Sequence, residues 1–266
     1  MSTVAVVTGA GRGLGRKIAE RLARKGHHVV VTDIDEGAAQ VTAALIDGTA
    51  FKQDVRDPDS HRAIARAAAE RGKVTVWVNN AGVLDAGEAW DMQDAVSRRM
   101  VEVNLLGVIW GCNAALEVMT EGSIINIASI SALSPTPGLA VYGATKHGVL
   151  GYSLSLAGEL MRAKKPISVS ALCPDAMESE MTKAVEHDKS AGLLFANISM
   201  LSHDEVADAA IELVQEPKLV RTLPTYRAAI IHLLRPFPSL SLPLLKQLGK
   251  LGRGKLARSR RNEASK

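Results

Sequence analysis

Short apolar runs rich in β-branched residues alternate along the chain with longer stretches in which apolar residues recur at helical spacing. Residues 3–8, 28–32, 49–52, 74–78, 124–128 and 167–172 read as strands, and their nearly continuous hydrophobicity suits strands covered on both faces. Between the first two, Ile18, Ala19, Leu22 and Ala23 mark one face of a helix. Further helices are expected near 36–46, after Pro58, across roughly 90–119, and from the segment around Tyr142 to about Arg162. Strand, helix, strand in repetition predicts an α/β fold with a doubly wound parallel sheet. The alternation ends near residue 173. A loop of mixed polarity follows at about 175–201, a length common among lids and substrate covers. Ser202 and Glu205 then have capping-box spacing, and Val206, Ala209, Ala210 and Leu213 continue as an amphipathic helix that leaves His203 at the surface.

No stretch reads as an interdomain linker, so the 266 residues are expected to form one domain, 1–224, with a tail, 225–266. Composition agrees, with 47% hydrophobic residues but only 3% aromatic ones, as strands and helices built from Val, Ile, Leu and Ala require. Cys112 and Cys173 lie far apart without metal-ligand spacing, so neither a disulfide framework nor a metal site is expected. The apolar strand pattern begins within a few residues of Met1 with no basic leader, which makes a cytoplasmic location the expectation. The net charge of +4 conceals an asymmetry. From Arg221 onward eleven Lys and Arg face one acid, Glu263, a balance of +10, whereas the preceding residues carry 21 basic and 27 acidic side chains, a balance of −6.

Candidate chemistry gathers at strand ends. The first strand runs into Gly9-Ala10-Gly11-Arg12-Gly13-Leu14-Gly15, where glycines let the backbone approach a pyrophosphate at the N-terminus of the next helix. Eighteen residues beyond Gly15, Asp33 ends the second strand, where a carboxylate can accept hydrogen bonds from both ribose hydroxyls of a dinucleotide. The same charge repels the extra phosphate of NADP, so NAD is favoured, while Arg12 pulls weakly the other way. Asp54 is either a helix cap or a partner for adenine. Asn79-Asn80-Ala81-Gly82 leaves room for a flat cofactor close to the backbone. Asn104 sits inside a helical pattern, where Asn is mildly unfavourable and invites a reason. Ser129 ends the fifth strand, and ligands in open α/β sheets collect at the carboxyl ends of strands. Tyr142 and Lys146 share a helix face, and an ammonium beside a phenol moves its pKa down from about 10. Taken alone, such a pair is more often a solvated surface.

Arriving in this order, the motifs resemble the short-chain dehydrogenase/reductase family over roughly residues 3–217. The resemblance is carried by Gly9, Gly13 and Gly15, by Asp33, Asp54-Val55, Asn79-Asn80-Ala81-Gly82 and Asn104, and by Ser129, Tyr142 and Lys146. The interval of thirteen residues from Ser129 to Tyr142 selects them over Ser131 and Tyr152. It implies a Rossmann-type single domain and an oxidoreductase that moves a hydride between a nicotinamide and a secondary alcohol or ketone. Tyr142 would be the general acid/base, Lys146 would lower its pKa and hold the nicotinamide ribose, and Ser129 would polarise the substrate oxygen. Asn104 would distort its helix and hold a water in a proton relay. Cofactor contacts are implied for Gly9, Arg12, Gly13, Leu14, Asp33, Asp54, Val55, Asn80, Ala81, Gly82, Tyr142, Lys146, Pro174 and Ser179. The resemblance also implies a homo-oligomer, a dimer or tetramer. The competing reading is a catalytically silent NAD-binding sensor or scaffold; loss of Ser, Tyr or Lys would favour it, and none is lost.

Two departures stand out. Where the family has Pro-Gly after its sixth strand, this chain has Pro174-Asp175, and Ser179 stands at a Thr position. The side chain of Asp175 is expected to point to solvent; the alternative is that it favours the positively charged oxidised ring. Leu193, Leu194, Phe195, Ile198, Met200 and Leu201 in the covering loop point to an apolar substrate. The tail from Tyr226 is apolar and basic but has no uninterrupted apolar run of about 18 residues. Packing over the loop or on another subunit is favoured over contact of residues 226–261 with an anionic membrane surface, because Pro236, Pro238 and Pro243 interrupt any continuous amphipathic face. Nucleic-acid binding by the cluster from Arg258 to Arg261 is not expected without aromatic platforms.

Overall fold

The apolar runs form strands β1 (Thr3–Thr8), β2 (His28–Asp33), β3 (Thr49–Lys52), β4 (Lys73–Asn79), β5 (Gly122–Ile127) and β6 (Ile167–Pro174), joined by a further strand, β7 (Val220–Leu223). They pair in parallel in the order β3-β2-β1-β4-β5-β6-β7. The computed structural model describes residues 2–196, 199–234 and 236–264, without the side chains of residues 228, 232, 238 and 256–264. Ile198 of the covering loop and the side chains of Arg258, Arg260 and Arg261 therefore lie outside the described residues.

The helices are α1 (Gly13–Arg24), α2 (Glu36–Leu45), α3 (Pro58–Ala69), α4 (Asp94–Val101), α5 (Gly107–Val118), α6 (Ala140–Arg162), α7 (Glu180–Ala184), α8 (His203–Gln215), α9 (Thr225–Leu234) and α10 (Pro238–Ala264). Leu14, Ile18 and Leu22 of α1 recur on one face and, with Ala39 and Ala43 of α2 and Val206 and Ala210 of α8, cover one side of the sheet over Val7, Val31, Val78 and Ile125. Ile64 of α3, Val108 and Cys112 of α5, and Val149 and Leu156 of α6 cover the other over Val6, Trp77 and Ile124. A fully buried side chain of this size stabilises by about 1.5 to 3 kcal/mol. Trp77, Ile124 and Ile125, all below 2% exposed, make β4 and β5 the centre of both cores. Sequence order runs outward from β1 in one direction and from β4 in the other, so a crevice opens between their carboxyl ends.

Several local expectations are corrected. β7 is an edge strand of four residues, Val-Arg-Thr-Leu, too short to display an alternation. The long helix starts at Asp94 rather than near Trp90, which is 80% exposed, and a single π turn, Glu102–Leu106, divides it. Asp57 rather than Asp54 caps α3, its carboxylate accepting from the Asp59 N–H. The Ser202–Glu205 capping box forms in both directions. Pro243 lies inside α10, where the Ser239 carbonyl loses its helical donor; both residues are exposed, so water can satisfy it. α10 crosses the short helical segment Lys189–Phe195 so closely that a Cβ on Gly252 would overlap the Gly192 carbonyl.

Candidate active site

The carboxyl ends of β1, β4, β5 and β6 open into a cleft of about 840 Å3. At its β1 end lies the glycine turn. Gly9 and Gly13 have φ of 60° and 54°, and a Cβ on Gly15 would overlap the Gly9 carbonyl and come within 2.5 Å of Asn80 Nδ2. Arg12, at the N-cap of α1, makes no side-chain cap, which leaves the first N–H groups of α1 as donors for an anion. Thr8 and Asn80 fix the turn to β4: Thr8 Oγ1 accepts from the N–H groups of Asn80 and Ala81 at 3.0 and 3.1 Å, and Asn80 Nδ2 donates to the carbonyls of Thr8 and Gly9, both at 2.9 Å. Thr8 was not among the expected site residues; a hydroxyl ending an apolar strand is the signal that would have found it.

Asp33 borders the same end of the cleft. Its Oδ2 accepts from the Gly11 N–H at 2.9 Å and its Oδ1 from the Asp35 N–H at 3.1 Å, which fixes the carboxylate against the glycine turn. Behind it, Gln53 Oε1 accepts from the Thr32 hydroxyl at 2.6 Å, while Gln53 Nε2 is buried in the cleft wall without a hydrogen-bond partner. Gln53 is a second residue that the sequence motifs passed over. Asp54 and Val55 line the wall next to it. The Arg56 guanidinium, 2.6 Å from Asp54, holds that carboxyl below its ordinary range. Arg12 reaches across the mouth to Glu180 at 3.2 Å; both side chains are about two-thirds exposed or more, so the pair contributes little.

At the other end, Ser129 follows β5, with its hydroxyl accepting from the Ser131 N–H at 3.1 Å. Tyr142 and Lys146 lie on consecutive turns of α6, and Lys146 Nζ is 5.7 Å from the Tyr142 ring centre and donates to the Ile127 carbonyl at 2.9 Å. Asn104 occupies the π turn, so the expected helix distortion is present. Its amide grips Val83, accepting from the N–H and donating to the carbonyl at 2.8 Å each, and donates to Thr145 Oγ1 at 3.3 Å. It lies fully buried behind the wall. Burial pushes the Tyr142 phenol up to about 12, with the Ser129 hydroxyl pulling it partly back, and lowers Lys146 to about 8. Desolvation is the largest of the causes acting on the phenol, so it stands above rather than below its ordinary value.

Three more residues depart from expectation. Ser179 lines the cleft, but its hydroxyl caps α7, accepting from the Thr182 N–H at 3.1 Å. His203 is half-buried rather than fully exposed; it borders the cleft opposite Gly13, and burial lowers its pKa. Asp175 does not point to solvent. Its carboxylate, 8% exposed, faces Arg227 of α9 at 2.6 Å in an ion pair that lies off the hydrogen-bond direction, while Oδ1 accepts from the Ala176 N–H at 2.8 Å. Arg227→Met would strand a buried carboxylate. The expected loss is about 1 to 3 kcal/mol, below that of a fully buried pair because Arg227 is 27% exposed, and Asp175→Gly in the same chain should recover most of it. Thermal unfolding of the three variants measures this.

The covering loop folds over Tyr142. Leu84, Leu139, Val185 and Ala191 form a small apolar cluster with Tyr142, Leu194 and Phe195 packed against it. The cleft wall brings together the glycine turn with Arg12 and Leu14, Asp33, Asp54, Val55, Asn80, Ala81, Gly82, Ser129, Tyr142, Lys146, Pro174 and Ser179.

Residues 3–190 match the family model of the short chain dehydrogenases. The chain belongs to the short-chain dehydrogenase/reductase family. Among its relatives in that family, the 3-oxoacyl-[acyl-carrier-protein] reductase FabG of Escherichia coli (strain K12) is 36% identical over 197 residues, 72% of this chain and 80% of the relative. The probable oxidoreductase EphD of Mycobacterium tuberculosis is 32% identical over 258 residues, 89% of this chain but 43% of that longer protein. A crystal structure of a short chain dehydrogenase/reductase from Burkholderia phymatum in complex with NAD superimposes with a TM-score of 0.82 at 27% identity, covering 90% of this chain and 95% of that one.

Proposed function

We propose that this short-chain dehydrogenase/reductase transfers a hydride between a nicotinamide dinucleotide, NAD in preference to NADP, and an apolar secondary alcohol or its ketone. The observation that carries this reading is the convergence of Ser129, Tyr142 and Lys146 on one wall of a cleft whose far end holds the glycine turn and Asp33. The residues fit a dinucleotide. The N–H groups of α1 suit a pyrophosphate, Asp33 suits a ribose diol, and the unpartnered Gln53 Nε2 offers a donor beside Val55, where an adenine ring would rest. The complex of the Burkholderia relative with NAD and the ketone-reductase name of FabG support the same assignment.

When bound, the nicotinamide takes or gives the hydride. The protein's task is the proton and the charge on oxygen. Tyr142 takes the alcohol proton in oxidation and returns it in reduction, and the Ser129 hydroxyl donates to the reacting oxygen. Lys146, already anchored to the Ile127 carbonyl, has N–H groups left for ribose hydroxyls and places its charge beside the phenol. Asn104 is a positioning residue: its grip on Val83 and Thr145 ties the wall after β4 to the helix that carries Tyr142 and Lys146. The apolar cluster over Tyr142 favours apolar substrates. We read residues 1–224 as the unit that carries this site and 225–266 as its cover, tied to it through Arg227 and Asp175.

Absorbance of the reduced nicotinamide, followed over a panel of alcohols and ketones with NAD and NADP in parallel, tests the assignment. Stoichiometric dinucleotide binding with no turnover on any member would replace it with a binding function. The phenol's raised pKa sets a pH signature. Oxidation needs the phenolate, so its kcat/KM should climb with pH, by up to about tenfold per unit below the phenol's pKa, whereas reduction needs the phenol and should stay level there. Initial rates in both directions across neutral to alkaline pH give the two profiles, and oxidation level with pH while reduction falls would remove Tyr142 from the proton path.

A further inference from the structure

The two tail helices each present one packed face and one apolar face without cover. On α9, Arg227 turns to Asp175 and Ile231 packs on the core beneath the sheet. Tyr226, Ile230 and Leu233, at i, i+4 and i+7, form a second stripe about a third of a turn round the helix and are 59%, 52% and 72% exposed. On α10, Ser241, Gly249 and Gly252 are buried, the glycines against the segment Lys189–Phe195, while Leu240, Leu244 and Leu251, at i, i+4 and i+11, form another stripe at 65%, 42% and 62% exposure. Helical phase places Lys250 along one border of that stripe and Lys255 along the other, both exposed, with Lys246 beyond Lys250. Pro236 falls between the two helices and Pro243 falls within the α10 stripe, yet by helical phase Leu240, Leu244 and Leu251 still share one side of α10.

We propose that these apolar stripes of α9 and α10 dock on an anionic lipid bilayer. A stripe of large apolar side chains bordered by lysines suits a helix lying in the plane of the headgroups. Charge favours acidic headgroups over a second copy as the occupant: Lys246 and Lys250 are exposed on α10 and residues 238–262 contain no acid, so two such faces pressed together would bring like charges into contact, whereas acidic headgroups complement them. The inner face of α10 packs on the segment that supplies Leu194 to the cleft wall, so the docking helix and the cleft share that segment. Vesicle binding reads this surface directly, whether or not the cleft turns over an alcohol.

Flotation of the full chain with vesicles of phosphatidylcholine plus phosphatidylglycerol, against phosphatidylcholine alone, is the test. The chain should float with the anionic vesicles and stay behind with the neutral ones. Lys246→Gln and Lys250→Gln should each weaken binding about fivefold. Leu233→Ser combined with Leu240→Ser and Leu251→Ser should abolish it, with unchanged circular dichroism and thermal unfolding because all three side chains are exposed. No flotation of the wild type, or equal flotation of the leucine variant, overturns the proposal. So does a dimer in sedimentation velocity that the leucine variant dissociates while vesicles are ignored.

Discussion

Tyr142→Phe should lower turnover by about a hundredfold to ten-thousandfold while leaving the dissociation constant for NAD unchanged. The substitution removes one oxygen and keeps the ring, so the packing of residue 142 on the cluster of Leu84, Leu139, Val185 and Ala191 survives. Lys146 keeps its bond to the Ile127 carbonyl, and Ser129 keeps the Ser131 N–H. What disappears is the group that receives the alcohol proton. Phenylalanine has no proton to exchange, so the loss should fall on the chemical step. The residual rate should also lose its rise with pH, since the titrating phenol is gone. Dinucleotide titration together with steady-state rates separates the outcomes: wild-type turnover sinks the role of Tyr142, and a parallel loss of NAD binding would mark a structural rather than a proton-transfer role.

The parts of this molecule that follow from local sequence were legible in advance. Five of the strands are apolar runs largely buried on both faces, with β3 only partly buried at the sheet edge, and the distortion at Asn104, which the family resemblance implied, is present as a π turn. The residues lining the cleft were legible through their spacing, because strand ends in such a sheet converge at one edge. What the sequence hid depends on contacts between distant segments. Asp175 looks like an exposed loop carboxylate until Arg227 arrives from α9, and His203 looks like the first exposed residue of a helix until α8 packs beside α1. Gln53 carries no motif, and its role rests on one buried nitrogen left without a partner. β7 is four residues long with an Arg in it, and only its register on β6 reveals it. The upward pKa of the phenol is hidden for a related reason: charge proximity can be read from i and i+4 spacing, but depth of burial cannot.

Asp33→Ser should convert the cofactor preference, raising affinity for NADP relative to NAD by at least about tenfold. The carboxylate is held by the Gly11 and Asp35 N–H groups at the edge of the cleft, so it cannot swing away from an incoming phosphate without giving up both bonds. At about 4 Å, two like charges in this partly solvated setting cost about 1 to 4 kcal/mol, the range from which the tenfold figure takes a conservative share. Serine keeps an acceptor for the Gly11 N–H, so the glycine turn should hold its shape, and unchanged thermal unfolding would confirm that the substitution acts on charge. Part of the change should come from weaker NAD binding, because one hydroxyl replaces the two carboxylate oxygens proposed to face the ribose diol. Arg12 sets the remainder. It is paired only loosely with Glu180 at the exposed mouth, so a phosphate entering beside it can draw it away at little cost, and Glu180→Gln in the Asp33→Ser chain should strengthen NADP binding further. Added salt should shrink the NADP gain, as screening acts on both the repulsion removed and the attraction released. Titration of the two dinucleotides at low and high ionic strength reads all of these terms, and a ratio of affinities equal to that of the wild type would show that Asp33 does not face the ribose.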